Sequence, residues 1–199
     1  MIKLLRESVN AEDVFKTFVY KLSDLKFNTM EIKKKKKLIG DYWEAFCLEY
    51  LKYKGFKNVK LIYDADGDTL AKYSLIQRDV GIDIICEDVN DNPIAVQCKF
   101  RSRGGVSWKE LSTFEALCAR TGPWHKHIIM TNTYVSKREG AKNEKDWSIT
   151  SSSFNKLKRH EWNSIAGYGN GNMCGDADIV KIKENWLKKI EKEISKESQ

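Results

Sequence analysis

Asp83, Gln97, the backbone carbonyl of Cys98 and Lys99 have the types and spacing to hold a divalent cation against a phosphodiester. A carboxylate suits a hard cation such as Mg2+, which takes oxygen ligands and keeps several waters. The Gln97 side-chain oxygen or the Cys98 carbonyl completes a protein ligand set. Lys99, two residues after Gln97, neutralises charge on an attacked phosphate or orients the attacking water. A bound cation would activate that water and stabilise the leaving oxygen, so the layout points to metal-assisted phosphodiester hydrolysis.

Strand periodicity must position these groups. Along residues 94–100, Ile94, Val96, Cys98 and Phe100 fall on one face, and Ala95, Gln97 and Lys99 on the other. In residues 82–86, Asp83 is the one polar residue of an apolar run. The turn formers of residues 87–93 join the two runs as a hairpin. Pairing with the polar residues on one face brings Asp83, Gln97 and Lys99 together at one edge of a sheet. Upstream, Ile39, Trp43, Phe46 and Tyr50 repeat at helical spacing over residues 38–53. Glu44 lies off the centre of that stripe, where a solvated carboxylate is expected. Asp79 stands close by in sequence, as a further metal-holding acid or a turn cap.

Trp43-Glu44 in a helix that leads to Gly55-Phe56, then Gly81-Ile82-Asp83, then Gln97-Cys98-Lys99, resembles the PD-(D/E)XK nuclease superfamily. Within it, the Gln-x-Lys form is similar to the Mrr-like restriction endonuclease family. The resemblance covers residues 38–133. It implies acidic site residues at Glu44 and Asp83, both able to bind metal, with Gln97 in place of the usual second acid and Lys99 as catalytic lysine. The Pro-Asp dipeptide that names the superfamily is absent, since Ile82 precedes Asp83. The implied fold is α/β, a restriction-endonuclease-like mixed sheet built αβββαβ and flanked by helices. The implied activity is Mg2+-dependent endodeoxyribonuclease, with Mn2+ able to substitute, leaving a 5′-phosphate and a 3′-hydroxyl. Cutting both strands calls for a homodimer with one site per subunit. A junction-resolving (Holliday-junction) or other structure-specific nuclease, and a non-catalytic DNA-binding subunit of the same fold, are the alternatives.

The remaining sequence fits around that core. Residues 1–37 read as a helical extension, amphipathic over 11–26, that ends in five consecutive lysines at 33–37. Cations at a helix start oppose its dipole, so the run reads as a solvated lead-in, with Lys35, Lys36 and Lys37 available to DNA phosphates. Arg101 and Arg103 lie in a glycine-rich loop just after Lys99, suited to phosphate. Ser107 to Glu110 has the form of a capping box before an apolar helix, and residues 126–131 read as a buried strand. Residues 134–199 form a C-terminal extension for recognition or dimerisation. There Lys156, Lys158 and Arg159 interleave with aromatics, a mix that suits DNA contact although Trp and Phe more often serve in packing, and a final helix spans 179–194.

Thirty-five basic against 28 acidic residues give a net charge of +7, which favours a polyanionic partner. Five cysteines without a Cys-x-x-Cys pair, and no apolar run long enough for a bilayer, lead us to expect a reduced, intracellular chain with no membrane partner. The glycine-rich run 167–175 lacks the Gly-Lys-Ser/Thr ending of a phosphate loop, so no nucleotide cofactor is expected. His125, His127 and His160 with Cys118 match no standard zinc spacing. The Asp64-to-Asp68 loop opens like a calcium motif but lacks the closing Glu.

Overall fold

The apolar stripe of residues 38–53 forms the long helix that organises the fold. In this computed structural model, which describes residues 1–25, 32–76, 81–136 and 146–168, that helix is α3 (Ile32–Tyr53). It buries Leu38, Trp43, Phe46, Cys47, Tyr50 and Leu51. The helix starts six residues earlier than its stripe, so lysines 33–37 form its first turns rather than a lead-in. Lysine is a good helix former, and a docked apolar stripe outweighs the few tenths of a kcal/mol, roughly, by which cations oppose the dipole.

Five strands make one mixed sheet in the order β1 (Lys57–Leu61), β2 (Ile84–Glu87), β3 (Pro93–Lys99), β4 (Lys126–Thr131), β5 (Asp146–Ile149). The first three pair antiparallel and the last three parallel. The β2–β3 hairpin closes on Asp88, whose Oδ1 accepts from the backbone N–H of Asn90 and Asn92 at 2.9 and 3.0 Å. A parallel β3–β4 pair needs a crossover, and α5 (Trp108–Arg120) supplies it. Ser107 and Glu110 form the expected capping box, with Glu110 Oε2 accepting from the Ser107 backbone N–H at 2.9 Å and also from its hydroxyl at 2.9 Å. Between β1 and β2, a 3-10 turn (Ile62–Asp64) leads to α4 (Gly67–Lys72), capped by Asp66 accepting from Thr69 N at 2.8 Å. The acidic loop therefore makes a helix cap.

The sheet is buried on both sides. Ile84, Val96, Cys98, Ile128, Met130 and Ile149 face α3, while Ile85, Ala95 and Ile129 face α5 with Leu111, Phe114 and Leu117. Helices α1 (Ile2–Arg6), α2 (Val14–Ser23), α6 (Ser151–Phe154) and α7 (Arg159–Ile165) add to the α3 layer. Phe154 sits 5.3 Å from Phe46 and 5.1 Å from Phe15, ring to ring. Beyond residue 133 the chain therefore continues into the same sheet and core. The amphipathic segment expected over 11–26 is α2. The expected final helix, Asp79, and the charged stretch 137–145 lie outside the described residues.

Trp43 is the keystone of the α3 layer. It is fully buried, with its ring 5.1, 5.8 and 5.6 Å from Phe46, Phe100 and Phe154, and its Nε1 donates to Met130 O at 3.2 Å. Trp43→Ala should cost about 3–5 kcal/mol through cavity formation. Urea denaturation checks this, and an unchanged midpoint would contradict the packing described.

Candidate active site

The ladder between β2 and β3 breaks at Asp83. Ile84 pairs with Val96, yet the Asp83 N–H also reaches Val96 O, at 2.8 Å and one residue out of register. Ile82 packs on the α5 side and Ile84 on the α3 side, so side-chain alternation fails across Asp83. The carboxylate then takes the place of a ladder carbonyl, its Oδ2 accepting from Cys98 N at 2.6 Å. Gly81 makes the approach possible. Its φ is +130°, and a Cβ there would come within 3.2 Å of Phe114 Cα.

Helix α3 brings Glu44 to the same place. Trp43 anchors the helix to the end of β4, and Cys47, one turn further on, hydrogen-bonds the Cys98 thiol. Glu44 lies between those anchors, half-buried and close enough to Asp83 to feel its charge. Burial, then the charges of Asp83 and Asp41, push its carboxyl up to about 8, while Lys99 and Lys37 oppose the shift. Burial likewise raises Asp83 to about 6, against the Cys98 hydrogen bond and Lys99. Two carboxyls raised by burial, one of them also by the other's charge, are short of positive charge.

Gln97 and Lys99 are near the C-terminal end of β3. Strand alternation places them with Ala95 on the α5 side, whereas Glu44 arrives from the α3 side. Asp83, Glu44 and Lys99 thus interact at the end of a central strand, not at a sheet edge. Gln97 is only 3% exposed, and its Oε1 is buried without a hydrogen-bond partner. Among the described residues no three His, Cys, Asp or Glu side chains gather as a metal cluster. Two charge-starved carboxylates and an unpartnered amide oxygen still fit a cation that takes few protein ligands and retains water.

Two residues near this centre escaped the sequence reading. Asp41 stands one turn before Glu44 on α3 and adds to its charge. Tyr63 follows Ile62, whose N–H donates to Asp83 O at 2.9 Å. Burial first, then Glu44, Asp83 and Asp41, raise the Tyr63 hydroxyl, with Lys37 opposing. The i, i+3 spacing of Asp41 and Glu44 was the available signal for the first; Tyr63 offered none.

The basic candidates divide. Lys37 acts on Glu44, Lys36 and Arg103 are exposed, and Lys35 is half-buried. Lys156 and Lys158 are exposed on the turn into α7. Arg101 pairs with Glu110, and its peptide is clasped by Asn132 at 2.7 and 2.8 Å. Arg159 donates to the carbonyls of Val9 and Ala11 at 2.8 and 2.9 Å, so it ties α7 to the N-terminal segment. Both guanidinium groups are thus engaged within the chain. His127 pairs with Glu115 at 3.0 Å.

A mixed sheet flanked by helices, with a displaced acid and a Gln-x-Lys strand meeting at its centre, defines the restriction-endonuclease-like class of nuclease fold. Residues 50–166, more than half of the chain, match the restriction endonuclease family Mrr_cat_2, and the chain belongs to that family. No curated protein and no solved structure matches the chain. The family match takes in Asp83, Gln97 and Lys99 and runs on through β5, α6 and α7. It begins six residues after Glu44, so Glu44 rests on geometry. Among the described residues no helix is long and apolar enough to cross a membrane.

Proposed function

We propose that this nuclease is an endodeoxyribonuclease that depends on a divalent metal, Mg2+ with Mn2+ able to substitute, and that a target sequence or modification directs it. The observation that carries this reading is the pair of raised carboxyls, Asp83 and Glu44, beside Lys99. Asp83, Glu44, Gln97 Oε1 and the Cys98 carbonyl would hold the ion. When bound, it supplies an activated water and charge stabilisation at the leaving oxygen.

The chain's own groups do the rest. Lys99 donates to a non-bridging phosphate oxygen and fixes the direction from which water approaches phosphorus. The P–O3′ bond breaks, giving a 5′-phosphate and a 3′-hydroxyl. The Cys98 N–H holds Asp83 Oδ2, which would leave the other carboxylate oxygen to ligate the ion. Lysines 35–37, Arg103, Lys156 and Lys158 bind flanking phosphates in a salt-dependent way. Cleavage of both strands follows from two copies acting on one site.

Supercoiled plasmid tests this reading. Nicking or linearisation is expected with Mg2+ or Mn2+ and none with EDTA. Cleavage that persists in EDTA would overturn the metal requirement.

A further inference from the structure

The segment after β4 carries a feature that phosphate chemistry does not use. Tyr134 is 59% exposed, three residues past Thr131, which lies beside Lys99 in the parallel β3–β4 register. Its backbone is fixed: Val106 N donates to Tyr134 O at 2.8 Å, Ser136 N donates to Val106 O at 2.9 Å, and Val106 bridges Val135. Its ring lies on Gly105, where a Cβ would come within 2.4 to 2.8 Å of three ring carbons. One face of the ring is thus seated on bare backbone and the rest is open. Gly104, with φ at +68°, turns the loop, and exposed Arg103 precedes it. Asn132, clasped to the Arg101 peptide, holds this loop to the end of β4.

A rigid aromatic face beside positive charge suits an unstacked nucleobase, because every base has a π-face and stacking needs no particular hydrogen-bond pattern. A basic flank draws the backbone of the same strand. We propose that Tyr134, seated on Gly105 and flanked by Arg103, is a stacking platform for an unpaired base of the DNA substrate next to the cleavage site. This rests on the nuclease reading above, and it sets the substrate class as DNA with a splayed or unpaired nucleotide near the scissile bond.

The probe is a DNA duplex with a single unpaired 2-aminopurine, compared with its fully paired counterpart and bound with Ca2+ in place of Mg2+. The parent should quench 2-aminopurine fluorescence and prefer the unpaired probe. Tyr134→Leu, which keeps an apolar side chain without a π-face, should abolish the quenching and weaken unpaired-probe binding about ten-fold, with paired-duplex binding unchanged. Tyr134→Trp should restore both. Equal quenching by Tyr134→Leu and the parent would overturn the platform and leave the nuclease reading intact. A parent that binds neither probe and leaves plasmid uncut would instead overturn the nuclease reading, and the platform with it.

Discussion

Lys99→Ala should cut DNA about a hundred- to a thousand-fold more slowly than the parent, with little loss of DNA binding. Lys99 closes β3, where its positive charge lowers the carboxyls of both Asp83 and Glu44. Removing the ammonium takes away a donor aimed at charge that develops on the phosphate, an interaction stronger in the transition state than in the ground state. The loss therefore falls on the chemical step, and single-turnover rates at saturating enzyme read it directly. A second consequence has a definite sign. Lys99 opposes the raised carboxyls, so without it both titrate at higher pH, and the acid limb of the residual pH–rate profile moves upward. A variant with the parent's rate and profile would remove Lys99 from the site.

Glu44→Gln should stabilise the metal-free protein at alkaline pH and abolish most of the stabilisation expected from Mg2+. With Glu44 raised to about 8 and Asp83 to about 6, the folded chain holds protons that the unfolded chain releases. The stability these groups contribute is full below the ordinary carboxylate range. It is lost as pH rises through about 6 for Asp83 and about 8 for Glu44. The melting temperature of the metal-free parent should therefore fall between pH 6 and pH 9. Glu44→Gln should flatten that slope, with a gain at pH 9 on the order of 2–4 kcal/mol. Mg2+ should stabilise the parent more at pH 9 than at pH 6, because the ion binds the ionised carboxylates. Thermal melts at both pH values, with and without Mg2+, decide it. A parent whose melting temperature ignores pH and Mg2+ would contradict the crowding of carboxylates described.

The parts of the fold that local chemistry determines were legible in the sequence. The hairpin turn at Asp88, the Ser107–Glu110 cap and the β4 strand all follow from short-range patterns. Asp83, Gln97 and Lys99 stood out because a polar residue in an apolar strand, and a Gln-x-Lys pair, are anomalies against period-2 alternation. What long-range packing determines was hidden. Glu44 lies off its own helix stripe, so periodicity left it solvated and the resemblance alone pointed to it; the docking of Trp43 and Cys47 brings it within reach of the Asp83 charge. The register slip that lets Asp83 accept from Cys98 N is likewise a tertiary event. Strand β5 is four residues long and draws its pairing from β4, so it leaves almost no periodic signal. Phe154 and Trp162, set among basic residues, read either as nucleic-acid contacts or as packing, and they pack against Phe15 and Phe46 in the core. Arg159 shows the same ambiguity, since a basic residue near aromatics can as well bind carbonyls of its own chain.

The most direct measurement is plasmid cleavage in Mg2+ by the parent and Asp83→Asn, side by side. Asparagine keeps an oxygen that can accept from Cys98 N, so the fold is retained while the anionic ligand is lost. The parent should nick or linearise the plasmid, and Asp83→Asn should leave it supercoiled at an unchanged melting temperature or a higher one. Equal cleavage by both proteins would show that the chemistry takes place elsewhere in the chain.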